Sequence, residues 1–133
     1  MKDVVSSLLP KPPVTVSPDQ RVGDVLKLMV ERQVGCVVVT RGEQIVGVFS
    51  ERDAVDRLNV QFAELAHRPV SQFMTPSPEA VDSEARIAFA IHKMDVGGYR
   101  HMPVVTKGHI SGVISVRDLL RYITEKLRAA NVA

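Results

Sequence analysis

Residues 110–120 read ISGVISVRDLL, and the related sequence IVGVFSERDAV occupies residues 45–55. Each reads as a short apolar strand that runs into a helix, because β-branched residues come first and polar residues follow. A glycine, a serine, an arginine and an aspartate recur in register, each pair 65 residues apart. Self-similarity at one fixed spacing indicates a duplicated structural unit. The sequence therefore predicts two copies of one unit.

The similarity extends upstream into a helix of each copy. Apolar residues at i, i+3, i+4 and i+7 define one helix face. They are Val22, Val25, Leu26 and Met29 in the first copy and Ile87, Ala90, Ile91 and Met94 in the second. Each unit then reads β-α-β-β-α, which predicts a mixed α+β (α/β) fold. We predict a first unit at 11–60, a connector at 61–73 and a second unit at 74–126, with its last helix reaching about residue 130.

The sequence also indicates helix ends. Ser17 and Pro18 suit the start of the first helix, since serine caps helix N-termini and proline is tolerated in the first turn. A helix from about Ser50 to Leu58 closes the first unit. Residues 4–9 are expected to form a short helical turn that Pro10 ends.

Length and composition favour one compact domain. The chain has 133 residues, 45% of them hydrophobic, so two half-size units would have to share one core. The net charge is +2 with both signs interspersed. This balance predicts a solvated surface and argues against a nucleic-acid partner.

The sequence predicts a cytoplasmic protein with no membrane association. No stretch approaches about 18 apolar residues, and the first ten residues lack the apolar core of a signal peptide. The single cysteine, Cys36, lies in an apolar run and is expected to be a buried, reduced thiol. His67, His92 and His109 are scattered, and no Cys/His spacing suits a metal site.

The repeated Ser-x-x-Asp element has two physical interpretations. Ser50 with Asp53, and Ser115 with Asp118, resemble capping boxes, which need no ligand. Alternatively, the helix start offers N–H groups and partial positive charge to a phosphate, while the aspartate accepts hydrogen bonds from a ribose diol. A glycine lies three residues before each serine, at positions 47 and 112, and would let a flat ring approach the backbone.

The order β-α-β-β-α, the run RHMPVV at residues 100–105 and the paired segments GVFSERD and GVISVRD resemble tandem cystathionine-β-synthase (CBS) domains. The likeness extends from about Lys11 to Tyr122. It implies a CBS pair, or Bateman module: two units, related by a pseudo-twofold axis and packed through their sheets, with two clefts between them. It further implies that the clefts bind an adenosine compound, such as AMP, ADP, ATP, S-adenosylmethionine or an NAD-type ligand. No cofactor is required.

The resemblance also implies the ligand-binding residues. In the family pattern the Ser/Thr-x-x-Asp segment contacts phosphate and ribose, and the matching residues are Ser50, Asp53, Ser115 and Asp118. An early strand holds the adenine edge through its backbone, and the matching residues are Thr15, Val16, Ala80 and Val81. The apolar residues that flank the ring, and the glycines that follow them, are Ile45, Gly47, Ile110 and Gly112.

The two copies differ just before the paired segments. The second copy has Arg100 and His101 where the first has Gly35 and Cys36. Arg100 and His101 can neutralise a phosphate, which predicts two unequal clefts. The alternative is that Arg100 is a solvated charge and His101 a histidine whose hydrogen bonds are satisfied beside the strand.

Three functions can be compared from the sequence. The principal prediction is a regulatory module that binds an adenine nucleotide and signals to an unidentified effector protein. Its alternative is a ligand-independent structural or oligomerisation module, in which the Ser-x-x-Asp elements only cap helices. An enzyme is not predicted, because the sequence shows no activated nucleophile, phosphate-cradling lysine loop or metal cluster.

A homodimer is also predicted. Leu119, Leu120, Ile123 and Leu127 lie at helical spacing near the end of the chain. A second copy would cover such an apolar stripe.

Overall fold

A computed structural model describes residues 3–131 of the chain. The chain forms two compact units. The first-repeat unit comprises residues 13–78, and the second-repeat unit combines residues 3–12 with residues 79–131. Each unit contains a sheet and helices, which confirms the predicted α+β class.

A four-stranded sheet forms the centre of the first-repeat unit. Its strands, in spatial order, are β1 (Thr15–Val16), β2 (Cys36–Arg41), β3 (Gln44–Ser50) and β4 (Thr75–Pro76). Strand β1 is parallel to β2, and the other pairs are antiparallel. The helices are α1 (Val22–Arg32), α2 (Glu51–Asp53), which continues as a π-helical turn (Ala54–Leu58), and α3 (Phe62–Leu65). Short 3₁₀ turns occupy Asn59–Gln61 and Val70–Gln72.

The second-repeat unit repeats this pattern on a three-stranded sheet. Its strands, in spatial order, are β5 (Val81–Asp82), β6 (His101–Thr106) and β7 (His109–Ser115). Its helices are α4 (Ile87–Gly97) and α5 (Val116–Ala129), and a 3₁₀ turn spans Val5–Leu8. Strand β5 is parallel to β6, and β6 is antiparallel to β7. Both units therefore have the predicted order β-α-β-β-α.

Each unit has its own hydrophobic core. The predicted faces of α1 and α4 supply the buried residues Val22, Val25, Met29, Ile87, Ala90 and Met94. Most of the buried residues form two clusters, one in each unit, and Cys36, Val38 and Val48 are buried outside both clusters. In each unit the sheet and its own helices enclose one of these clusters.

Each unit is completed by the chain that precedes the other repeat. Residues 3–12 join the second-repeat unit, where Val5 is fully buried. Residues 61–78 join the first-repeat unit, where Phe73 is buried and β4 pairs with β3. We call residues 3–12 and 70–78 the lead-in segments. The region predicted as a connector thus contributes to the core as well as linking the repeats.

Helix α1 begins later than the sequence indicates. Its N-cap is Arg21, with no side-chain cap, and the Ser17 N–H donates instead to the Gln20 side chain at 3.0 Å. The first N–H groups of α1 donate to the carbonyls of Arg68 and Ala66 at 2.8 and 2.9 Å. A distant segment therefore supplies the cap, and the predicted start at Ser17 is wrong.

Within residues 3–131, no helix combines the length and the apolar character needed to cross a bilayer. Across that same range, no group of three or more His, Cys, Asp or Glu side chains is arranged to hold a metal ion.

Candidate ligand-binding site

The two Ser-x-x-Asp elements adopt the same geometry at the starts of α2 and α5. The N–H and Oγ–H of Ser50 donate to Asp53 Oδ2 at 3.0 and 3.1 Å, and the Asp53 N–H donates to Ser50 Oγ at 3.3 Å. The corresponding distances for Ser115 and Asp118 are 2.8, 3.1 and 3.3 Å. Both elements are capping boxes, and such a cap stabilises a helix by about 1 kcal/mol. Any ligand role is additional to this structural one.

The second carboxylate oxygen, Oδ1, has different surroundings in the two copies. Asp53 Oδ1 accepts a hydrogen bond from the Thr75 hydroxyl at 3.3 Å and lies 3.6 Å from Arg57 Nε. Asp118 Oδ1 accepts from Nη1 of Arg121 at 3.4 Å, and the Arg121 side chain is 58% exposed. Because Oδ2 already accepts two hydrogen bonds from the cap serine, Oδ1 is the oxygen available to a ribose hydroxyl.

Strand β6 brings Arg100 and His101 to the start of α5. His101 lies opposite Ser115 in the strand register, and the Arg100 carbonyl accepts the N–H of the first residue of α5 at 3.0 Å. The Arg100 side chain is exposed and His101 is half-buried. In the first-repeat unit, Gly35 and Cys36 take these places. The backbone of Arg100 and His101 is therefore next to the capping box of the second-repeat unit.

The two predicted site glycines are explained by packing of the lead-in segments. A Cβ on Gly47 would meet the Met74 side chain. A Cβ on Gly112 would lie 2.7 Å from Pro10 Cβ and 3.1 Å from the Lys11 carbonyl oxygen. These glycines let the chain itself approach the strands, and their role beside a flat ring stays a prediction.

Sequence reasoning missed Lys93, which contacts a predicted ligand-binding position. Its Nζ donates to the Ala80 carbonyl at 2.8 Å and lies 3.1 Å from Glu79 Oε2. The carbonyl expected to meet an adenine edge thus already has a partner. The counterpart of Lys93 in the first copy is Leu28, which is half-buried. The sequence signal for this contact is that the second copy has a lysine where the first copy has a leucine.

The remaining predicted residues lie on the strands. The side chains of Val16 and Val81 are buried in the two cores, so only their backbones are available to a ligand, whereas Thr15 is exposed. Ile45 and Ile110 are half-buried, and each lies where the register of the neighbouring strand shifts. The two isoleucines are therefore placed equivalently in the two copies.

Cys36 is an unreactive core thiol. It is buried, and its Sγ–H donates to the Val37 carbonyl at 3.7 Å. Burial, assisted by the negative charge of Asp53, raises the pKa of Cys36 to about 12. This thiol is therefore protonated at neutral pH.

A surface pocket of about 420 Å³ lies on the first-repeat unit, between the end of α1 and the start of α2. It is lined mainly by apolar residues: Leu26, Met29, Val30, Gln33, Val34, Gly35, Glu51 and Ala54. None of the predicted ligand-binding residues lines it.

The profile of the CBS domain family matches residues 3–60 and 70–125. Among solved structures, the CBS-domain containing protein ATU1752 from Agrobacterium tumefaciens is 30% identical, with a TM-score of 0.81 over 91% of this chain and 99% of that one. The CBS domain protein PAE2072 from Pyrobaculum aerophilum, solved complexed with AMP, is also 30% identical, with a TM-score of 0.80 over 96% of this chain and 99% of that one.

A curated relative in Arabidopsis thaliana, the CBS domain-containing protein CBSCBSPB1, is 30% identical over 108 residues. This match covers 80% of the chain, which spans only 20% of the length of the plant protein.

Proposed function

The chain belongs to the CBS domain family, with two CBS domains in tandem, and we propose that it is a regulatory module that binds an adenosine-containing ligand and signals to a partner protein. The observation that carries this proposal is the pair of Ser-x-x-Asp elements, placed at equivalent helix starts in both units. A relative of nearly the same extent was solved complexed with AMP, which supports AMP among the possible adenosine ligands.

The second-repeat unit offers complementary groups to the phosphate and the ribose of a nucleotide. The start of α5 carries partial positive charge, which favours a phosphate group. The exposed residue Arg100, whose carbonyl is bonded to the first residue of α5, adds a positive charge to this unit. Asp118 Oδ1 is positioned to accept hydrogen bonds from a ribose diol. A hydrogen bond to a charged acceptor contributes about 1.5–3 kcal/mol.

The proposed output is a change in another polypeptide, since regulation by a small ligand needs an effector. The partner and the cytoplasmic location stay predictions. In this proposal the module performs no chemistry on the nucleotide, and incubation with ATP or AMP is expected to give no product.

The function is tested by calorimetry and thermal unfolding with AMP, ADP, ATP, S-adenosylmethionine and NAD, with GTP as the control. A ligand that binds only the folded state adds about 2.7 kcal/mol of stability at one hundred times its dissociation constant. This should raise the melting temperature by several degrees for AMP, ADP and ATP, and by less for GTP. No response to any adenosine compound would refute the proposal and favour a structural module.

The structural-module alternative rests on the capping boxes, which account for both Ser-x-x-Asp elements without a ligand. A homodimer is proposed under either function. On α5, Leu119 is buried in the core, whereas Leu120, Ile123 and Leu127 are 62%, 39% and 40% exposed. A second copy of the chain would cover these three side chains.

A further inference from the structure

We infer that the surface pocket of the first-repeat unit binds helix α5 of a second copy of the chain, so that unlike repeats meet in the dimer. This inference rests on the homodimer proposed above and specifies which surfaces form it. Three observations support it: the residues that line the pocket, the apolar stripe that α5 exposes and the charges beside each of them.

The first repeat has smaller side chains than the second at two positions that line the pocket. Val34 and Ala54 line it, and their counterparts 65 residues later are Tyr99 and Leu119. Leu119 is buried in the core of the second-repeat unit, and Tyr99 packs against that core with its ring over Gly97. The second repeat thus places larger side chains where the first repeat leaves a space of about 420 Å³. An open apolar space at a surface favours an occupant with aliphatic side chains.

Helix α5 exposes a stripe of such side chains. Leu119 and Tyr122 anchor the helix in its own core, and the stripe lies on the neighbouring face. An amphipathic helix that lays an apolar face into a groove is a recurrent mode of protein recognition. The members of the stripe, all exposed and spaced as one helix face, are Val116, Leu120, Ile123 and Leu127.

The charges favour a contact between stripe and pocket over a contact between two like surfaces. Among the lining residues within positions 3–131, Glu51 alone is charged. Arg117, Arg121 and Arg128 each follow a member of the stripe by one position, so they form an exposed row along its edge. Two stripes face to face would bring the arginine rows together, and two pockets would bring the Glu51 carboxylates together. A stripe in a pocket pairs opposite charges instead, and juxtaposed like charges disfavour an interface.

The balance of charge over each unit has the same signs. Counted over residues 3–131, the first-repeat unit carries eight Asp and Glu against seven Lys and Arg. The second-repeat unit carries seven Asp and Glu against nine Lys and Arg. In a dimer with twofold symmetry each surface of one copy meets its complement on the other, so each α5 would enter the pocket of the other copy.

Cross-linking of the full chain tests which surfaces meet. Val30→Cys at the pocket and Leu120→Cys in the stripe are made in separate chains, and the native Cys36 is buried. Under mild oxidation at tens of micromolar, a mixture of the two chains should form a disulfide-linked dimer severalfold faster than either chain alone. Val60→Cys is the control for Val30→Cys, because both valines are exposed in the first-repeat unit, and it should react slowly with Leu120→Cys.

Filling the pocket tests its role in the dimer. The double substitution Val34→Tyr with Ala54→Leu gives the first repeat the residues that the second repeat has at these positions. The variant should keep the circular dichroism of the wild type, whereas sedimentation should show at least tenfold weaker dimerisation. Ala63→Leu is the matched control, since Ala63 is exposed on α3 of the same unit, and it should leave the dimer intact.

Charge reversal tests the pairing of the rims. Glu51→Arg and Arg121→Glu should each weaken the dimer severalfold, and the chain that carries both should recover most of the lost affinity. Two weakened single variants with no recovery in the double variant would contradict a contact between these two surfaces.

The results separate the inference from the homodimer. Disulfides that form faster between identical chains than in the mixture, or a filled variant that dimerises as tightly as the wild type, would overturn the inference and leave the homodimer standing. The pocket would then belong to a different occupant. If the wild type is a monomer at tens of micromolar, the homodimer is refuted and the inference fails with it.

Discussion

At the scale of single residues, Gly47 and Gly112 hold the same place in their repeats, but a methyl group would meet different neighbours there. Gly112→Ala would press on the Pro10 side chain and the Lys11 backbone, so it should destabilise the protein by about 1–3 kcal/mol. Gly47→Ala would meet the flexible thioether of Met74, which can move. It should cost clearly less. Urea unfolding of both variants measures the difference.

Equal losses would contradict this expectation. They would mean that the Pro10 ring and the Lys11 backbone yield as readily as the Met74 side chain, and that the lead-in at residues 3–12 is held more loosely than its contacts indicate.

Cys36 should resist alkylation in the folded protein. The pKa of about 12, against 9.0 for an unperturbed thiol, reduces the thiolate fraction at pH 8 roughly a thousandfold. Burial blocks the reagent as well. Labelling with iodoacetamide, followed by mass spectrometry, should show no modification until guanidinium is added. Rapid modification of the folded protein would show that β2 opens readily.

Sequence reasoning reached the capping boxes because their contacts span only three residues. It did not reach Thr75 or Lys93, whose contacts join residues 22 and 13 positions apart. Such contacts depend on how strands and helices are arranged in space, and spacing along the chain does not encode them.

At the scale of elements, the lead-in at residues 3–12 is tied to α5 by a polar cluster. The Tyr122 hydroxyl donates to Asp3 Oδ2 at 2.6 Å, and Lys126 Nζ lies 3.0 Å from the same oxygen. The hydrogen bond from Tyr122 is the largest cause that lowers the pKa of Asp3 below its usual 3.8, and the hydrogen bond from Lys126 is the second. The hydrogen bond between Tyr122 and Asp3 is also the largest cause that raises the pKa of Tyr122 to about 12, and burial of the hydroxyl is the second.

This cluster predicts a pH dependence of stability at both extremes. The contribution of Tyr122 is complete below pH 10 and is lost as the pH rises towards 12, because the unfolded chain ionises first. The contribution of Asp3 is complete above its usual pKa of 3.8 and is lost as the pH falls through its lower folded value.

The substitution Tyr122→Phe tests the predicted loss of stability at alkaline pH. The variant should be less stable than the wild type by a constant amount from about pH 5 to 9, and this gap should close between pH 10 and 12. Urea unfolding across that range measures it. Tyr99→Phe, which removes the chain's other tyrosine hydroxyl, is the control. A gap that stays constant to pH 12 would disprove the role of the Asp3 bond.

The order of the elements was predictable, because hydrophobic periodicity and duplication act over short distances. The start of α1 was not, since its first N–H groups are capped by carbonyls from residues 66 and 68.

At the scale of the whole molecule, the exposed stripe of α5 predicts self-association. Leu120→Asp places a charge in the apolar stripe and should convert a dimer into a monomer of 14.6 kDa. Val60→Asp is the matched control, since Val60 is 84% exposed in the first-repeat unit. Sedimentation velocity at tens of micromolar distinguishes the two. A monomeric wild type at that concentration would refute the dimer, because obligate interfaces of about 2,000 Å² or more hold there.

A chain that held one copy of the repeat with only the lead-in segment that precedes it would lack the segment that completes its own unit, because residues 3–12 belong to the second-repeat unit and residues 70–78 to the first. Two such chains would have to exchange their lead-in segments, as the chains of a domain-swapped dimer do. When both copies lie in one polypeptide, the exchange of segments is intramolecular. The effective concentration of one copy around the other is then in the millimolar range for a short link. Duplication thus turns an assembly that depends on protein abundance into one that folds at any dilution. The same continuity means that the gene cannot be divided between the repeats into two self-sufficient halves.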